Sequence, residues 1–564
     1  MSAHRMLSIL LLYPALMQAQ QLPSINILQS GIMLGTGRER YYSLRIEALG
    51  TDFSGIVPDR LTDLFRNPAY YDKLENPLLF GEMARIQNAS STIVKYATLI
   101  PRVGGNNSSG YPGFQLDQNV QVYIYPDGYG STGTPVGIRL GYAGKLGIFV
   151  RGNYFNSSSD QLNDVVTRGY PPYQSSYYQS VYGRDSRSDW GDAQLSYAFQ
   201  LGEGLSAGLS YTFGLSESPG NTKSFTSYWQ TYFNPSTSYY DSAYGSRYSF
   251  SNAINKIVSH TLRGGILWEG EAKTIDVVGT VEILRSDINI RQGQDESYYN
   301  FHRSSPNDQP TVADGTIFQN LVTYADIEGT NARIAARYLN RTDPSQTFSL
   351  QAGASLGVFN SDDRYYNSRS YVSNYMSTSD TSKNSSYYLT ARYGSPDGVG
   401  LQANANAGWT FTMSDFLVAA GVGANLLHLN FDYDAQRTLL DDAYQLSHQV
   451  GMSLRHYTED NRFLHKQNVT TVRLAVPLGL EYELVKHCHV RAGWVAEFLR
   501  TANEDKSTEN GFDVTSNQIN LSTVTFGMGY QIFEKLRADF VNVGDIAQPR
   551  NWNLSAIYTF GAAE

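Results

Sequence analysis

The feature that most constrains the fold of this chain is the alternation of apolar and polar residues over a 27-residue stretch, residues 472–498. Every second residue is apolar from Val472 to Leu484, and the rhythm resumes from Cys488 to Phe498 after a short interruption. A period of two is typical of a β-strand with one apolar face. Two such runs around a tight turn predict an antiparallel hairpin. Both runs are long enough for a bilayer-crossing tilted strand, which needs ~9–11 residues.

The position of the charged residues bears on what this hairpin belongs to. Its polar face carries Arg473, Glu481, Glu483, Arg491 and Glu497. In a soluble β-sandwich this face would be solvated surface, whereas in a membrane barrel it would line a wet lumen while the apolar face contacts lipid. One hairpin does not separate the two folds, so the rest of the chain must.

The predicted connections between strands are of two kinds, short turns and long polar loops, and the two kinds alternate along much of the chain. Short turns are predicted near Ala143, Gly204, Gly270, Asp343, Pro396, Val485 and Glu534. Long polar loops are predicted at residues 156–190, 216–259, 285–329, 360–385 and 500–516. Short turns on one rim and long loops on the other are typical of an outer-membrane barrel. This sorting requires residues 431–443 to be a longer connection on the short-turn rim, and Met413–Ser414 to be a short turn on the opposite rim.

We therefore predict an all-β fold, a transmembrane antiparallel β-barrel of the bacterial outer membrane with about 14 to 20 strands, best about 16 to 18. The barrel and its long extracellular loops are assigned to residues 86–564. The 42 tyrosines agree with aromatic girdles at the membrane interfaces. A mean hydropathy of −0.36 argues against a helical membrane protein.

Charge and cysteine content exclude further classes. The chain has 43 basic and 52 acidic side chains, a net charge of −9, which argues against a nucleic-acid partner. Cys488 is the sole cysteine, so no intrachain disulfide is expected. A large exported chain without disulfides fits a protein that strand pairing holds together.

The N-terminal part does not alternate. Residues 1–19 are predicted to be a secretory signal, with His4 and Arg5 before an apolar run and a cleavage site before Gln20; the alternative is a buried first element. Residues 20–85 are predicted to be a hatch-like segment that folds into the lumen, or else a periplasmic lead-in. Within them, residues 59–65 predict a turn of helix that stops at Asn67-Pro68, because proline does not continue a helix.

Several short strings resemble one transporter family. They are Asn67-Pro68-Ala69, residues 477–482 with 490–494, and residues 525–530 before 536–540. In these strings the chain resembles the FadL-type outer-membrane transporters of long-chain fatty acids and hydrocarbons, in the divergent forms of Bacteroidetes-like bacteria. The resemblance covers the hatch region and about the last hundred residues. It departs from the family at Tyr70, where a glycine usually follows the hatch motif, and in its longer polar loops.

The resemblance implies a hatch-bearing barrel for passive uptake of hydrophobic compounds such as long-chain fatty acids, with Asn67, Pro68 and Ala69 as the hatch motif. The alternative is a non-transporting surface or secretion-associated barrel, such as an adhesin or a structural or general porin. Outer-membrane lipid, lipopolysaccharide and a hydrophobic small molecule are the expected partners. The amphipathic end at residues 552–560 resembles the signal read by the barrel-assembly machinery, although a short tail follows it.

Two sets of residues are candidate functional positions. Pro477 lies within the best predicted strand, where it removes a ladder hydrogen bond, so it marks either a lateral gate or a tolerated bulge. The charges predicted to face the lumen either pair with one another and with the hatch, or form a selectivity filter. They include Arg333, Arg337, Arg473, Glu481, Glu483, Arg491 and Glu497.

No catalytic residue, cofactor or metal site is predicted. Residues 204–208 and 353–357 match the Gly-x-Ser-x-Gly pattern, but that chemistry needs a strand-to-helix elbow, and both lie on alternating strands. His487 and His489 share a face, yet the spacing implies no further metal ligand. An enzyme is therefore not expected.

Overall fold

The computed structural model describes fourteen stretches of the chain. They are residues 43–73, 78–84, 90–103, 114–127, 138–142, 146–169, 174–217, 220–234, 239–303, 310–377, 381–447, 451–507, 511–543 and 552–559. The predicted signal at residues 1–19 lies outside them. These stretches contain two α-helices, α1 (Leu44–Leu49) and α2 (Arg60–Arg66), and two 3-10 helices, Thr51–Phe53 and Pro68–Lys73. None of these helices has the length and apolar character needed to cross a membrane.

Nineteen strands in one sheet, with the turns between them, make up the rest of the described chain. They are β1 Leu78–Ala84, β2 Ser90–Val103, β3 Phe114–Asp127, β4 Ile138–Tyr142, β5 Leu146–Gly169, β6 Gln174–Gly202, β7 Leu205–Glu217, β8 Gly220–Asn234, β9 Tyr239–Glu269, β10 Lys273–Arg303, β11 Thr311–Asn340, β12 Gln346–Met376, β13 Thr381–Met413, β14 Phe416–Ser447, β15 Gly451–Val485, β16 Cys488–Ser507, β17 Gly511–Phe533, β18 Leu536–Val543 and β19 Trp552–Thr559.

The sheet closes into an antiparallel barrel. Each strand from β9 to β19 pairs with the next, β19 pairs with β1, and β1 lies beside β4, which pairs with β5. β7 and β8 together fill one position, because both pair with β6 and with β9 in a single continuous register. In the same way β3 and β4 pair with successive parts of β5. β2 lies beside β3, and β1 lies beside β4. These three collinear pairs reduce the 19 strands to 16 positions around the barrel. The predicted fold class is confirmed.

The turns whose residues the structure describes all lie at one rim, which we call the lower rim. It carries the turns at residues 203–204, 270–272, 341–345, 414–415, 486–487 and 534–535. The prediction that Met413–Ser414 lies on the opposite rim is wrong, since β13 ends and β14 begins at the lower rim. Residues 431–443 and Pro396, predicted to be connections, lie inside β14 and β13. Their polar residues reflect a change in which strand face is apolar, described below.

The long polar segments predicted to be loops are largely paired strands. Residues 285–303 continue β10 and pair with β11 as far as His302 opposite Thr311. β12 and β13 pair in the same way up to Met376 opposite Thr381. The barrel wall therefore extends far above the region where one strand face is uniformly apolar. Apolar alternation stops there because the outward face meets water instead of lipid, while the backbone ladder continues regardless of side-chain polarity.

An apolar belt surrounds the outside of the barrel. On β10, Ile275, Val281 and Ile283 point outward and are 42%, 46% and 56% exposed. Trp409 and Trp494 also lie on the outward face. The upper boundary of the belt is the level at which asparagine or charged residues replace apolar ones on the outward face. On successive strand positions from β7 to β16 these residues are Glu217, Lys256, Arg285, Glu328, Asn360, Asp397, Asn430, Asn468 and Arg500. The chain is a transmembrane β-barrel.

Candidate functional site

Residues 43–73, which we call the inner segment, lie inside the barrel. Three of their backbone carbonyls accept hydrogen bonds from wall side chains on separate strands. Thr525 on β17 donates to Ala48 (2.8 Å), Ser349 on β12 to Gly55 (2.6 Å) and Arg263 on β9 to Phe65 (2.8 Å). Because these strands belong to different sides of the barrel, the inner segment crosses the lumen.

The inner segment folds around two capped helices. The Ser43 hydroxyl accepts from the Ile46 amide, and the Asp59 carboxylate accepts from the Thr62 amide at 2.9 Å. α2 ends before Asn67-Pro68, so the predicted helical turn and its stop are confirmed. Helices of 6 and 7 residues are not stable alone in water, so contacts with the wall must hold them in place.

Glycines on the inward face of the wall allow the inner segment to make backbone contact. A Cβ atom added at Gly265 would lie 1.9 Å from the Asn67 Oδ1 atom. Gly208, Gly147, Gly493 and Gly527 are close in the same way to Pro68, Tyr71, Leu49 and Ala48, with the nearest atoms at 2.0 to 2.4 Å. Any larger residue at these positions would push the segment away from the wall. Sequence reasoning missed this pattern, although inward glycines at alternating positions are visible in the strands.

The Asn67-Pro68-Ala69 motif is one point of attachment. Asn67 is fully buried; its Nδ2 donates to the Ile266 carbonyl of β9 (3.2 Å) and its Oδ1 accepts from the Ala69 amide (2.9 Å). The motif thus ties the start of the second 3-10 helix to the wall. Tyr70, the departure from the family pattern, accepts a hydrogen bond from Arg337 (2.6 Å) and donates one to Asp276 (3.0 Å).

Tyr70 belongs to a buried ion cluster that joins the inner segment to β10 and β11. Arg337 contacts Asp63 at 2.6 Å and Asp276 at 2.8 Å, and Arg66 contacts Asp276 at 2.5 Å. Two guanidinium groups thus balance two carboxylates where water is largely excluded. Burial raises the pKa of the Asp63 carboxyl above its ordinary value, while Arg337 and Arg66 act in the opposite direction. Burial likewise raises the pKa of the Tyr70 phenol.

A second group of ion pairs joins the inner segment to β15, β16 and β18. Glu481 accepts from Arg45 at 2.9 Å and from Arg491 at 2.5 Å, and Arg491 reaches Asp539 at 2.7 Å. Nearby, Arg473 contacts Asp52 at 2.8 Å and Glu497 at 2.6 Å. Charges on the wall are therefore matched by charges on the inner segment.

The structure places the predicted lumen charges in three different surroundings. Arg337, Arg473, Glu481, Arg491 and Glu497 lie in the ion pairs described above, which agrees with the pairing interpretation. Glu483 lies near the lower rim and accepts from the His487 amide at 2.9 Å, and Arg333 lines a cavity described next. The partners Arg45, Asp52, Asp63 and Arg66 were missed, because the inner segment has no periodic pattern that would indicate which face meets the wall.

A polar cavity of about 130 Å³ lies between the inner segment and the wall. Four arginines and one carboxylate line it, Arg66, Arg263, Arg333, Arg473 and Asp52. Side-chain amides add to its polar surface, from Gln351, Gln402, Asn404, Asn406 and Asn425. Arg66 and Arg473 are paired with carboxylates, so what the cavity offers a ligand is a dense set of hydrogen-bonding groups.

An apolar cluster, which we call the collar, occupies the inward face above this cavity. It consists of Ile288, Ala325, Ile327, Phe359, Leu427, Leu429, Phe431 and Val469. These residues are at most 9% exposed, so they pack against one another instead of lining open water. They follow polar inward residues on the same strands, such as Glu282 before Ile288 on β10. The inward face thus becomes apolar at about the level where the outward face becomes charged.

Pro477 lies on the inward face of β15, where the ladder to β14 is interrupted. Leu478 pairs with Ala420 and Ala475 pairs with Gly423, but the two positions between them are unpaired. The register is the same on both sides, so the interruption is not the bulge predicted as the alternative to a gate. Pairing with β16 continues through Pro477 opposite Val495. An apolar part of the inner segment, including Ile56, covers this point from inside.

The other motifs lie in settings without an assembled reactive site. Ser206 is on β7 and donates to Asp72 at 2.7 Å, and Ser355 lies within β12, so neither is followed by the helix of a nucleophile elbow. His487 is a turn residue at the lower rim. Among the residues that the structure describes, no three His, Cys, Asp or Glu side chains are grouped to hold a metal ion.

Comparisons with known proteins found similar solved structures but no matching family. No family model matches the chain, and no curated protein matches it. A Pseudomonas aeruginosa FadL homologue is similar at 10% identity, covering 91% of this chain and 96% of its own, with a TM-score of 0.27. The siderophore receptor PirA of Acinetobacter baumannii matches at 8% identity over 70% and 82% of the two chains (TM-score 0.17). The translocator domain of the autotransporter NalP from Neisseria meningitidis matches at 16% over 55% and 88% (0.18). The barrel assignment rests on the chain's own strand pairing.

Proposed function

We propose that this protein is a bacterial outer-membrane channel for passive uptake of hydrophobic or amphiphilic compounds such as long-chain fatty acids, with the inner segment closing the pore at rest. The observation that carries this proposal is the collar. A general porin has a polar, water-filled interior, whereas here the inward face above the polar cavity is apolar and packed. Such a surface favours an apolar ligand over a hydrated one.

The order of the interior surfaces supports an amphiphile in particular. A molecule that enters from above meets the collar first and the arginine-rich cavity second. An apolar chain gains free energy by burial against the collar, and a polar head group gains hydrogen bonds from the arginine and amide side chains of the cavity. Passage to the periplasm or the membrane then requires movement of the inner segment or of the wall.

Polar substitutions in the collar test the proposal. The double variant Ile327→Asn/Phe431→Asn is expected to lower uptake of a labelled long-chain fatty acid several-fold in cells that lack their own transporter, because it removes the apolar surface without adding bulk. Thr323→Asn, inward on β11 and already polar, is the matched control and is expected to retain uptake. If the wild-type protein confers no uptake above empty membranes, the transport proposal fails and a non-transporting surface barrel takes its place.

The interrupted ladder at Pro477 gives a separate proposal for where the ligand leaves the barrel. Pro477→Val restores a backbone donor opposite β14 and, with about 1 kcal/mol for the added hydrogen bond, strengthens the wall at that point. We expect reduced fatty-acid uptake with an unchanged amount of folded protein. Pro396→Val is the control, because it repairs a similar interruption between β12 and β13 above the belt. Equal uptake by Pro477→Val and wild type would remove the support for a lateral gate.

A further inference from the structure

A large groove lies on the outside of the wall and takes no part in the proposed transport route. It has a volume of about 790 Å³ and extends across six strands, from β9 to β14. Most of its lining side chains are on the outward face, as the strand registers require. The groove is therefore open to the surroundings of the barrel and separate from the lumen.

The concave shape follows from packing on the inner side. The Phe359 ring lies against Gly329 and Gly357, where added Cβ atoms would be 2.3 Å and 2.6 Å from ring carbons. Phe431 lies against Gly398 in the same way at 2.8 Å. These close contacts let the wall approach the collar, and burial of the collar favours that approach. The result is a depression on the outer surface at the same level.

The groove crosses the upper boundary of the apolar belt. Its lower part presents Val258, Ile283, Val358 and Val399, of which Ile283 and Val358 are more than half exposed. Its upper edge presents Arg285, Glu328, Asn360, Asp397 and Asp432. An occupant that fits both parts has an apolar body at membrane depth and a polar group at the membrane surface, which is the chemistry of a lipid.

The charges at the upper edge indicate the kind of head group. Arg285 is already surrounded by carboxylates, with Asp326 at 3.0 Å, Glu328 at 3.8 Å and Asp287 at 3.9 Å. Asp432 is paired with Lys466 at 2.9 Å, whereas the exposed Asp397 makes no ion pair within the stretches that the structure describes. The edge is therefore acidic overall, and complementary to a positively charged group.

We propose that this groove binds a single amine-bearing phospholipid, with acyl chains against the valine-rich lower part and the head group at Glu328 and Asp397. The ammonium donates charge-assisted hydrogen bonds to these carboxylates. The site holds one lipid more tightly than a convex part of the belt would, because a concave surface buries more of each acyl chain. It does not depend on whether the barrel transports anything.

Native mass spectrometry of the full-length protein tests the proposal. The protein is released from bilayers with equal amounts of phosphatidylethanolamine and phosphatidylglycerol of the same acyl composition, and the retained lipid is counted. We expect retained phosphatidylethanolamine on the wild type and a roughly tenfold lower retention on Val358→Trp, which fills the groove. Leu426→Trp, at a belt position outside the groove that is 46% exposed against 54% for Val358, is the matched control and is expected to keep the lipid.

The head-group preference has its own pair of variants. Glu328→Gln/Asp397→Asn is expected to bind the two lipids about equally, while Asp362→Asn, a carboxylate just above the groove, retains the preference for phosphatidylethanolamine. Folding of every variant is checked by the heat-dependent gel shift of the barrel. Equal loss from Val358→Trp and Leu426→Trp, or a wild-type preference for phosphatidylglycerol, would overturn the proposal.

Discussion

An Arg337→Met variant is expected to release the inner segment from β10 and β11 and to raise the ion conductance of the barrel. Arg337 is 2% exposed and contacts Asp63, Asp276 and Tyr70. Its removal leaves two buried carboxylates with Arg66 as the remaining cation. Breaking a buried pair from one side typically costs ~3–5 kcal/mol, because an uncompensated charge stays behind. Movement of the inner segment is the response with the lowest free-energy cost, since it exposes the Asp63 carboxylate to water without breaking the strand pairing of the barrel.

Conductance of single proteins in planar bilayers measures this effect. The wild type is expected to conduct poorly and Arg337→Met to show large, fluctuating openings. Arg364→Met is the control, since Arg364 is an exposed arginine of β12 above the apolar belt. A compensated variant, Arg337→Met/Asp276→Met, leaves Asp63 with Arg66 and is expected to recover much of the closed state. Wild-type conductance in Arg337→Met would show that the ion cluster does not hold the pore closed.

The second large effect is expected from filling a wall glycine. Gly265→Val places a branched side chain where a single Cβ would already lie 1.9 Å from Asn67. The side chain either displaces Asn67, with loss of its hydrogen bond to Ile266, or strains β9; overpacking of this kind costs ~1–3 kcal/mol. We expect the inner segment to detach from this part of the wall and become accessible to added protease, with a parallel rise in conductance.

The neighbouring glycine is the matched control for this variant. Gly264 faces outward, and the nearest atom to an added Cβ is the Leu209 side chain at 3.5 Å, an ordinary contact. Gly264→Val therefore carries the same change in β-propensity and size, one residue away, without touching the inner segment. If both variants showed the same protease sensitivity, the effect would belong to β9 itself, and the proposed steric role of Gly265 would be wrong.

The inner segment is held in the lumen by a small number of specific contacts. The ion pairs, the close contacts at wall glycines and the Asn67 hydrogen bond all lie where the segment meets the strands. Each contributes little free energy compared with the strand pairing of the whole barrel. A pore that opens needs this difference, because the contacts of the inner segment must break before the strand pairs of the wall do.

The belt and the barrel were predictable because lipid imposes one rule on every strand that crosses it. Leu474, Leu478 and Trp494 point outward as their alternation indicated, and Arg473, Glu481 and Arg491 point inward. Pro396 shows where that reasoning failed. It was predicted to be part of a turn, yet β13 runs through it, since above the belt the outward face is wet and the inward face becomes apolar.

The sequence by itself determined the fold class, the membrane-facing surface and the helix that stops at Asn67, because each depends on local periodicity or on a residue's own backbone chemistry. Only the tertiary structure decided that the inner segment lies in the lumen, that Arg45, Asp52, Asp63 and Arg66 partner the wall charges, and that Tyr70 completes one cluster. These contacts join residues up to 436 positions apart. Pairing over such distances is set by how the closed barrel positions its inward faces, and no local pattern records it.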